Sequence, residues 1–180
     1  MFNYSALIES IYPAGRKVSG ILLSHSHSVA ALALDIARRK QLPLDPADIE
    51  AAAMLHDIGI IRTNAPGLGC YGSRPDLMHG VTGADMLRAA GAPEQYARVA
   101  ERHTGAGLTR TEIESFGLPL PADRTYMPET LLEKLICYAD CFYSKGGDGQ
   151  RKTLERVERS MAKFGPGVLA RFRALHELFS

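Results

Sequence analysis

An apolar stretch in the first third of the chain ends abruptly in two ionisable residues. Residues 51–55 are all apolar with helical spacing, and His56 and Asp57 follow them directly, with Gly59 close behind. Moving an imidazole and a carboxylate into a core costs free energy unless a partner compensates both groups. A metal ion compensates both at once, because neutral histidine and ionised aspartate are metal ligands. The stretch therefore predicts a fold with a polar site inside its core.

The rest of the chain has helical periodicity, with apolar residues recurring about every 3.6 positions, and no clean alternating strand. Helices are predicted at 4–11, 24–40, 45–57, 79–90, 93–104, 109–117 and 128–144, with two more on either side of the break at 165–167. Asp45-Pro46 has the pattern of a helix start, and Thr109 with Glu112 has capping-box spacing. Long loops are predicted at 59–77 and 117–128. The pattern predicts an all-α, single-domain helical bundle.

Composition excludes several classes of function. Lysine plus arginine is 21 against 20 for aspartate plus glutamate, so a net charge of +1 gives no electrostatic case for nucleic acid or an anionic membrane. We expect no apolar run long enough to span a bilayer, and the start of the chain lacks the pattern of a signal peptide. The 3 cysteines do not suggest a disulfide framework, so a cytoplasmic location is expected.

Helical register distinguishes the two neighbouring histidines of the second predicted helix. His25 shares a face with the apolar residues Val29 and Ile36, which lie 4 and 11 positions later. His27 lies on a more mixed face. The same register argument predicts that His25 points into the core and that His27 does not.

Three further ionisable residues lie on apolar stripes of their own helices: His79, His103 and Asp140. Asp140 is the sharpest case, since Leu132 and Ile136 precede it on one face. Taken singly, a histidine on such a face is more often a hydrogen-bonded core residue than a ligand, and Asp140 alone could be a cap or the partner of an arginine. A shared ion explains why separate helices each bring a polar residue inward.

The predicted ligand set has six members, in which Asp57 can bridge two ions: His25, His56, Asp57, His79, His103 and Asp140. His25, His56 and Asp140 would complete one ion, and His79 with His103 the other. Mixed imidazole and carboxylate ligands favour Fe, Mn, Zn, Co or Ni over Mg or Ca. One or two divalent ions are therefore expected, and two would suit a phosphoryl displacement.

The order of these residues resembles the HD-domain superfamily of metal-dependent phosphohydrolases: His25 before Val29-Ala30, then His56-Asp57-Ile58-Gly59, then Asp140 in Tyr138-Ala139-Asp140. His79 and His103 match the extra ligands of its dinuclear members. Segments 79–84, 101–109 and 132–140 are similar to an uncharacterised HDIG branch of that superfamily. The resemblance implies one HD domain over 1–180, with a core at 22–145 that surrounds the metals and a C-terminal helical extension at 150–180.

Residues beyond the metal ligands are harder to assign from sequence. Asp57 is predicted to be catalytic together with Arg62, which also heads the list of substrate-binding cations, followed by Arg102 and Lys145. The loop 63–77 is expected to cover the site as a lid, with a flap of no functional role as the alternative. His176 is expected to be exposed and without a role.

The resemblance implies hydrolysis of a phosphate ester or anhydride through a metal-activated hydroxide. The expected substrate is a nucleotide or another small phosphorylated metabolite, with no nucleic acid and no membrane as partner. Two alternatives remain open. The same ligand set could hold mixed-valent di-iron in an oxygenase, or the domain could be a non-catalytic regulatory module that binds a nucleotide. The oligomeric state is also open, a homodimer included.

Overall fold

The computed structural model describes residues 2–147 and 149–180, and these residues are mostly helical. Within them lie nine α-helices: α1 (Tyr4–Ile11), α2 (Lys17–Lys40), α3 (Pro46–Leu55), α4 (His79–Ala89), α5 (Glu94–Arg102), α6 (Arg110–Ser115), α7 (Leu131–Asp140), α8 (Leu154–Ala162) and α9 (Pro166–Phe179). The expected all-α, single-domain fold is confirmed.

The predicted loop 59–77 contains more structure than expected. It begins in a 3-10 helix, Ile58–Arg62, and two shorter ones follow at Pro66–Leu68 and Asp76–Met78. Two short strands alternate with these three 3-10 helices, and β1 (Asn64–Ala65) pairs antiparallel with β2 (Cys70–Tyr71). Strands this short carry no alternating pattern, which is why the sequence did not reveal the hairpin.

Two helices differ from their predicted bounds by more than two residues, for identifiable reasons. Helix α2 starts seven residues earlier than 24, because burial of Val18 and Leu22 offsets the low helix propensity of Gly20. Helix α7 starts only after Thr130, whose side chain accepts a hydrogen bond from the Glu133 amide at 3.2 Å. It ends at Asp140, four residues before the predicted end.

The expectation that no apolar run could span a bilayer was wrong as regards length. Helix α2 has 24 residues and satisfies a length-and-composition criterion for a membrane span. Half of the apolar stretch in this helix is nevertheless buried inside the protein. Val29, Ala33 and Ile36 of α2 are inaccessible to solvent. The core helix of a globular protein meets the same criterion, so the finding is weak support for a membrane span.

Helices α2, α3 and α7 pack together, α4 packs against α5, and α8 with α9 forms a C-terminal pair that returns to α7. Phe172 and Phe179 of α9 are buried in the same hydrophobic cluster as residues of the other helices except α6, whose Ile113 belongs to a second, smaller cluster. The Tyr138 hydroxyl of α7 lies 2.9 Å from Nδ1 of His176. The prediction that His176 is exposed was therefore wrong, because α9 packs that residue against α7 and leaves it only half-buried.

The 3-10 helix Ile58–Arg62 lies unusually close to α4. A Cβ atom built on Gly59 would lie 2.2 Å from the carbonyl oxygen of His79 and 2.3 Å from the backbone nitrogen of Gly83. From the other side, the Tyr12 hydroxyl donates to the Ile58 carbonyl at 2.7 Å. These contacts fix the backbone directly after Asp57 against the start of α4.

Replacing Gly59 by alanine is predicted to destabilise the fold by about 3 kcal/mol, because the added methyl group meets backbone atoms that cannot move aside. The matched control is Gly20→Ala in α2, where nothing lies within 4 Å of the new Cβ. That change should be neutral or stabilise by up to about 1 kcal/mol. Urea unfolding of both variants checks the difference, and equal stabilities would contradict the close approach.

Candidate metal centre

The structure brings all six predicted ligands together at the centre of the bundle. His25 lies midway along α2, His79 is the first residue of α4, and Asp140 is the last residue of α7. His56 and His103 are the C-caps of α3 and α5, and Asp57 follows His56. Five of the six are buried, and Asp140 is partly buried.

Oδ2 of Asp57 and three other atoms that could donate to a metal ion form one subset. This oxygen lies 3.3 Å from Nε2 of both His25 and His56. Oδ1 of Asp140 lies 2.9 Å from Nε2 of His25 and 3.5 Å from Nε2 of His56. The two imidazole nitrogens are 3.2 Å apart.

A second subset forms around the other oxygen of Asp57. Oδ1 lies 3.4 Å from Nε2 of His79 and 3.3 Å from Nε2 of His103. These two nitrogens are 3.1 Å apart. The Asp57 carboxylate therefore faces one set of donors with each oxygen.

The spacing of these donors suits a metal ion. Bonds of about 2.0–2.2 Å from a metal to nitrogen and oxygen place neighbouring donors about 3.0 Å apart in an octahedron and about 3.4 Å apart in a tetrahedron. Each imidazole nitrogen lies 2.9 to 3.5 Å from the carboxylate oxygens and from the other imidazole nitrogen of its subset. The residues present therefore fit a metal ion by geometry as well as by chemistry.

Hydrogen bonds to the backbone fix the orientation of three of the rings. In each, Nδ1 donates to the carbonyl three residues earlier: His56 to Ala53 at 2.6 Å, His79 to Asp76 at 2.7 Å and His103 to Ala100 at 2.8 Å. A carbonyl only accepts, so Nδ1 carries the proton and Nε2 is left to bind a cation. All three Nε2 atoms point into the cluster formed by the six predicted ligands.

The buried charges of the cluster are strongly coupled. Both oxygens of Asp57 are buried without accepting a hydrogen bond from the described residues. Burial opposes ionisation, but Lys145 and His56 hold the pKa of Asp57 well below its usual range. Burial likewise opposes protonation of His56, yet Asp57 and Asp140 raise its pKa to about 10. A metal ion bound here would replace that imidazole proton.

Of the three predicted substrate-binding cations, the structure brings only Lys145 to the cluster. Its Nζ lies 3.1 Å from Oδ1 of Asp57 and 3.5 Å from Nε2 of His79. Burial lowers the pKa of Lys145, but Asp57 and Asp140 outweigh it, and the net shift is upward. Lys145 therefore stays an ammonium ion within reach of the predicted metal ligands.

The two arginines lie elsewhere. Arg102 is buried, and its guanidinium contacts Glu129 at 2.7 Å and Glu133 at 3.0 Å, so these carboxylates hold it away from the cluster. Arg62 is exposed and lines a separate cavity beside the β1–β2 hairpin. Neither arginine has a described contact with a predicted ligand, so the structure gives no support to these two choices.

Two short segments close over the cluster. Leu68, in the 3-10 helix within the predicted lid loop, lines a small void together with Asp57 and Lys145. A Cβ built on Gly146 would lie 2.9 Å from Leu68 Cδ2, so the two segments touch. One residue of the loop 63–77, Leu68, therefore lies beside Asp57, while the role of the loop as a lid stays a prediction.

A cleft of about 180 Å³ leads from the surface to His25, and sequence reasoning missed most of its lining. Ser24 and Ser28 of α2 form one wall, and Ser144 with the following glycines forms the other. The glycines at 146, 147 and 149 were the available signal, because such a run next to a ligand helix lets backbone approach a small ligand closely.

Comparison with known proteins agrees with the fold. The family model described as "HD domain" matches residues 22–144. A tRNA (cytidine(56)-2'-O)-methyltransferase of Thermoplasma volcanium is 31% identical over 173 residues, covering 96% of this chain and 45% of that protein. An uncharacterised protein of Methanocaldococcus jannaschii is 37% identical over 122 residues, covering 66% and 64% respectively. The chain thus spans less than two thirds of these curated relatives.

Solved structures show the same fold. The HD domain of the L. monocytogenes phosphodiesterase PgpH superposes with a TM-score of 0.56 at 16% identity, covering 97% of this chain and 95% of that one. The same domain in complex with cyclic-di-AMP gives a TM-score of 0.55 at 17% identity, covering 96% and 92%. At this level of identity the match supports the architecture only.

Replacing His25 by alanine is predicted to lower the metal content of the purified protein to less than about half, because one donor set loses a member. The matched control is His27→Ala, two residues along the same helix and exposed, which should keep the wild-type metal content. Elemental analysis by mass spectrometry measures both. Equal metal loss in the two variants would contradict the assignment of the inward face of α2.

Proposed function

The chain belongs to the HD-domain family, and we propose that it is a metal-dependent phosphohydrolase. Its substrate would be a phosphate ester or anhydride of a nucleotide or of another small phosphorylated metabolite. One observation carries this proposal: the buried Asp57 carboxylate faces a set of histidine donors with each of its oxygens. A carboxylate in this position can bridge a pair of ions a few ångströms apart.

The two donor subsets define the proposed ligands. One ion would be held by His25, His56, Asp140 and Oδ2 of Asp57, and a second by His79, His103 and Oδ1 of Asp57. The imidazole and carboxylate donors favour Fe, Mn, Zn, Co or Ni. When bound, such an ion supplies Lewis acidity, which makes water more acidic and draws charge from phosphoryl oxygens.

The protein's own residues hold the histidine rings in place and supply a positive charge beside the metal centre. The backbone carbonyls that accept from Nδ1 of three histidines keep those rings from rotating. The Lys145 ammonium ion, 3.1 Å from the Asp57 carboxylate, is placed to bind a phosphoryl oxygen as negative charge develops on it. Because Asp57 and Asp140 keep Lys145 protonated despite its burial, we assign it to charge stabilisation and not to proton abstraction.

The cleft beside His25 supports a small phosphorylated group as the part of the substrate that enters. Its volume of about 180 Å³ accommodates a phosphoryl group but is smaller than the 300–1,000 Å³ typical of pockets for whole drug-sized ligands. The remainder of the substrate would lie outside, or Leu68 and its loop would move aside. We therefore keep the loop 63–77 as a proposed lid.

The relatives bear on the substrate class to different degrees. PgpH is described as a phosphodiesterase, and its HD domain has been crystallised with cyclic-di-AMP, so cyclic dinucleotides belong in the set of substrates to be tested. The two relatives described as tRNA methyltransferases are covered over only 45% and 30% of their length. Their name therefore does not determine the substrate that we propose.

The test is a substrate panel with protein loaded with Mn or Fe. Release of phosphate or nucleoside monophosphate is expected from a member of a panel of nucleotides, cyclic dinucleotides, dinucleoside polyphosphates and sugar phosphates. Asp57→Asn should lower kcat by about 10³-fold or more, since it removes the shared carboxylate. The exposed His27→Ala serves as control. A silent panel combined with oxygen consumption and a mixed-valent electron spin resonance signal would overturn hydrolysis in favour of an oxygenase.

The role of Lys145 yields a separate prediction. Lys145→Gln should lower kcat/KM by about 10²-fold, the size expected when one group that stabilises transition-state charge is removed. Metal content should stay at the wild-type level, since the lysine is not a ligand. The control is Lys163→Gln, an exposed lysine on the C-terminal side of α8. Loss of metal in step with activity would show that Lys145 acts by supporting the ligands.

A further inference from the structure

A second cavity, of about 700 Å³, lies beside the β1–β2 hairpin. The start of α2, the 3-10 helix Ile58–Arg62, the hairpin and α4 form its walls. Three arginines line it, one from each of three different segments: Arg16, Arg62 and Arg74. None of the six predicted metal ligands is part of its lining.

The three guanidinium groups form a local excess of positive charge. Of the residues at 2–147 and 149–180, no carboxylate lies within 4.0 Å of any of these arginines, although 20 aspartates and glutamates almost balance the cations over the whole chain. Asp85 is the one acidic residue on the lining, and Arg124 already pairs with it at 2.8 Å. Like charges that face one cavity repel each other, so an anion bound there would be stabilised.

The hairpin holds two of these arginines next to each other. The Arg74 amide donates to the Arg62 carbonyl at 3.3 Å, and the Gly72 amide donates to the Thr63 carbonyl at 2.8 Å. A Cβ on Gly72 would lie 2.1 Å from the Arg62 carbonyl oxygen, so only glycine permits this approach. The Arg74 guanidinium also donates to the Thr82 hydroxyl at 3.1 Å, which directs it along α4.

An aromatic ring completes the wall. Tyr71, on β2, lines the cavity and is 81% exposed, unlike most large apolar side chains of this protein. An exposed ring beside guanidinium groups offers a stacking surface for a base, while arginine binds phosphate through paired N–H groups. The cavity volume is within the range of pockets that enclose small ligands.

We propose that this cavity binds a nucleoside phosphate at a site separate from the metal centre. The arginines would bind the phosphates, and Tyr71 would stack on the base. The 3-10 helix Pro66–Leu68 between the two strands lies over Asp57, so a ligand that braces the hairpin would also hold the cover of the metal centre in place. The site would therefore be regulatory, and its existence does not depend on the proposed hydrolase activity.

Calorimetric titration with a non-hydrolysable ATP analogue, adenosine 5'-(β,γ-imido)triphosphate, tests the site on the full chain. Arg62→Ala should weaken binding about tenfold and the Arg16→Ala/Arg62→Ala pair about 100-fold, as expected for loss of charge-assisted contacts to phosphate. Arg62→Lys should recover part of the loss. Arg156→Ala, an exposed arginine on α8, should bind like wild type. Tyr71→Ala should weaken binding of the analogue but not of inorganic pyrophosphate.

The metal-centre variants Asp57→Asn and His25→Ala separate this proposal from the proposed catalysis. Both should retain full affinity for the analogue, with circular dichroism to confirm that they are folded. Loss of binding in both folded variants would place the nucleotide at the metal centre and overturn the proposal. Unchanged affinity in the Arg16→Ala/Arg62→Ala protein would overturn it as well. So would arginine-dependent binding of tRNA by a protein that binds neither the analogue nor pyrophosphate.

Discussion

The carboxylate of Asp57 is 0% exposed, and neither of its oxygens accepts a hydrogen bond from the described residues. An unpaired buried charge costs several kcal/mol, so the fold is stable around this group only if positively charged or polar nitrogen groups surround it. The Lys145 ammonium ion and four imidazoles do so, each with a nitrogen within 3.4 Å of one of the two oxygens. The fold brings these imidazoles together from α2 and from the ends of α3, α4 and α5.

Backbone contacts set the position of that carboxylate. Gly59 allows the chain after Asp57 to lie against the first turn of α4, which carries His79. Tyr12, at the end of α1, holds the same turn from the other side through the Ile58 carbonyl. The N-terminal helix thus contributes to the site without supplying a ligand, which connects the stability of the fold with the geometry of the donors.

Sequence alone predicted the residues whose direction depends on helical register. His25 and Asp140 lie on apolar faces, and the core can lie only on that side of the helix, so their inward orientation could be inferred. The direction of Lys145 depends on the turn after α7, and Arg102, at the end of α5, meets Glu129 in the segment before α7. Such contacts arise from tertiary packing and leave no periodic signal. Arg62 was predicted to bind substrate because it lies only a few residues after Asp57 in the sequence. Nearness in the sequence does not determine where a side chain points.

The most direct test of the metal centre is a crystal structure with diffraction data collected at the absorption edges of Mn, Fe and Zn. The account predicts an anomalous peak about 2.1 Å from Oδ2 of Asp57 and from Nε2 of His25 and His56, with a second peak on the His79 side when two ions bind. No peak at any edge, with Lys145 and ordered water alone neutralising Asp57 in protein that still hydrolyses its substrate, would contradict it.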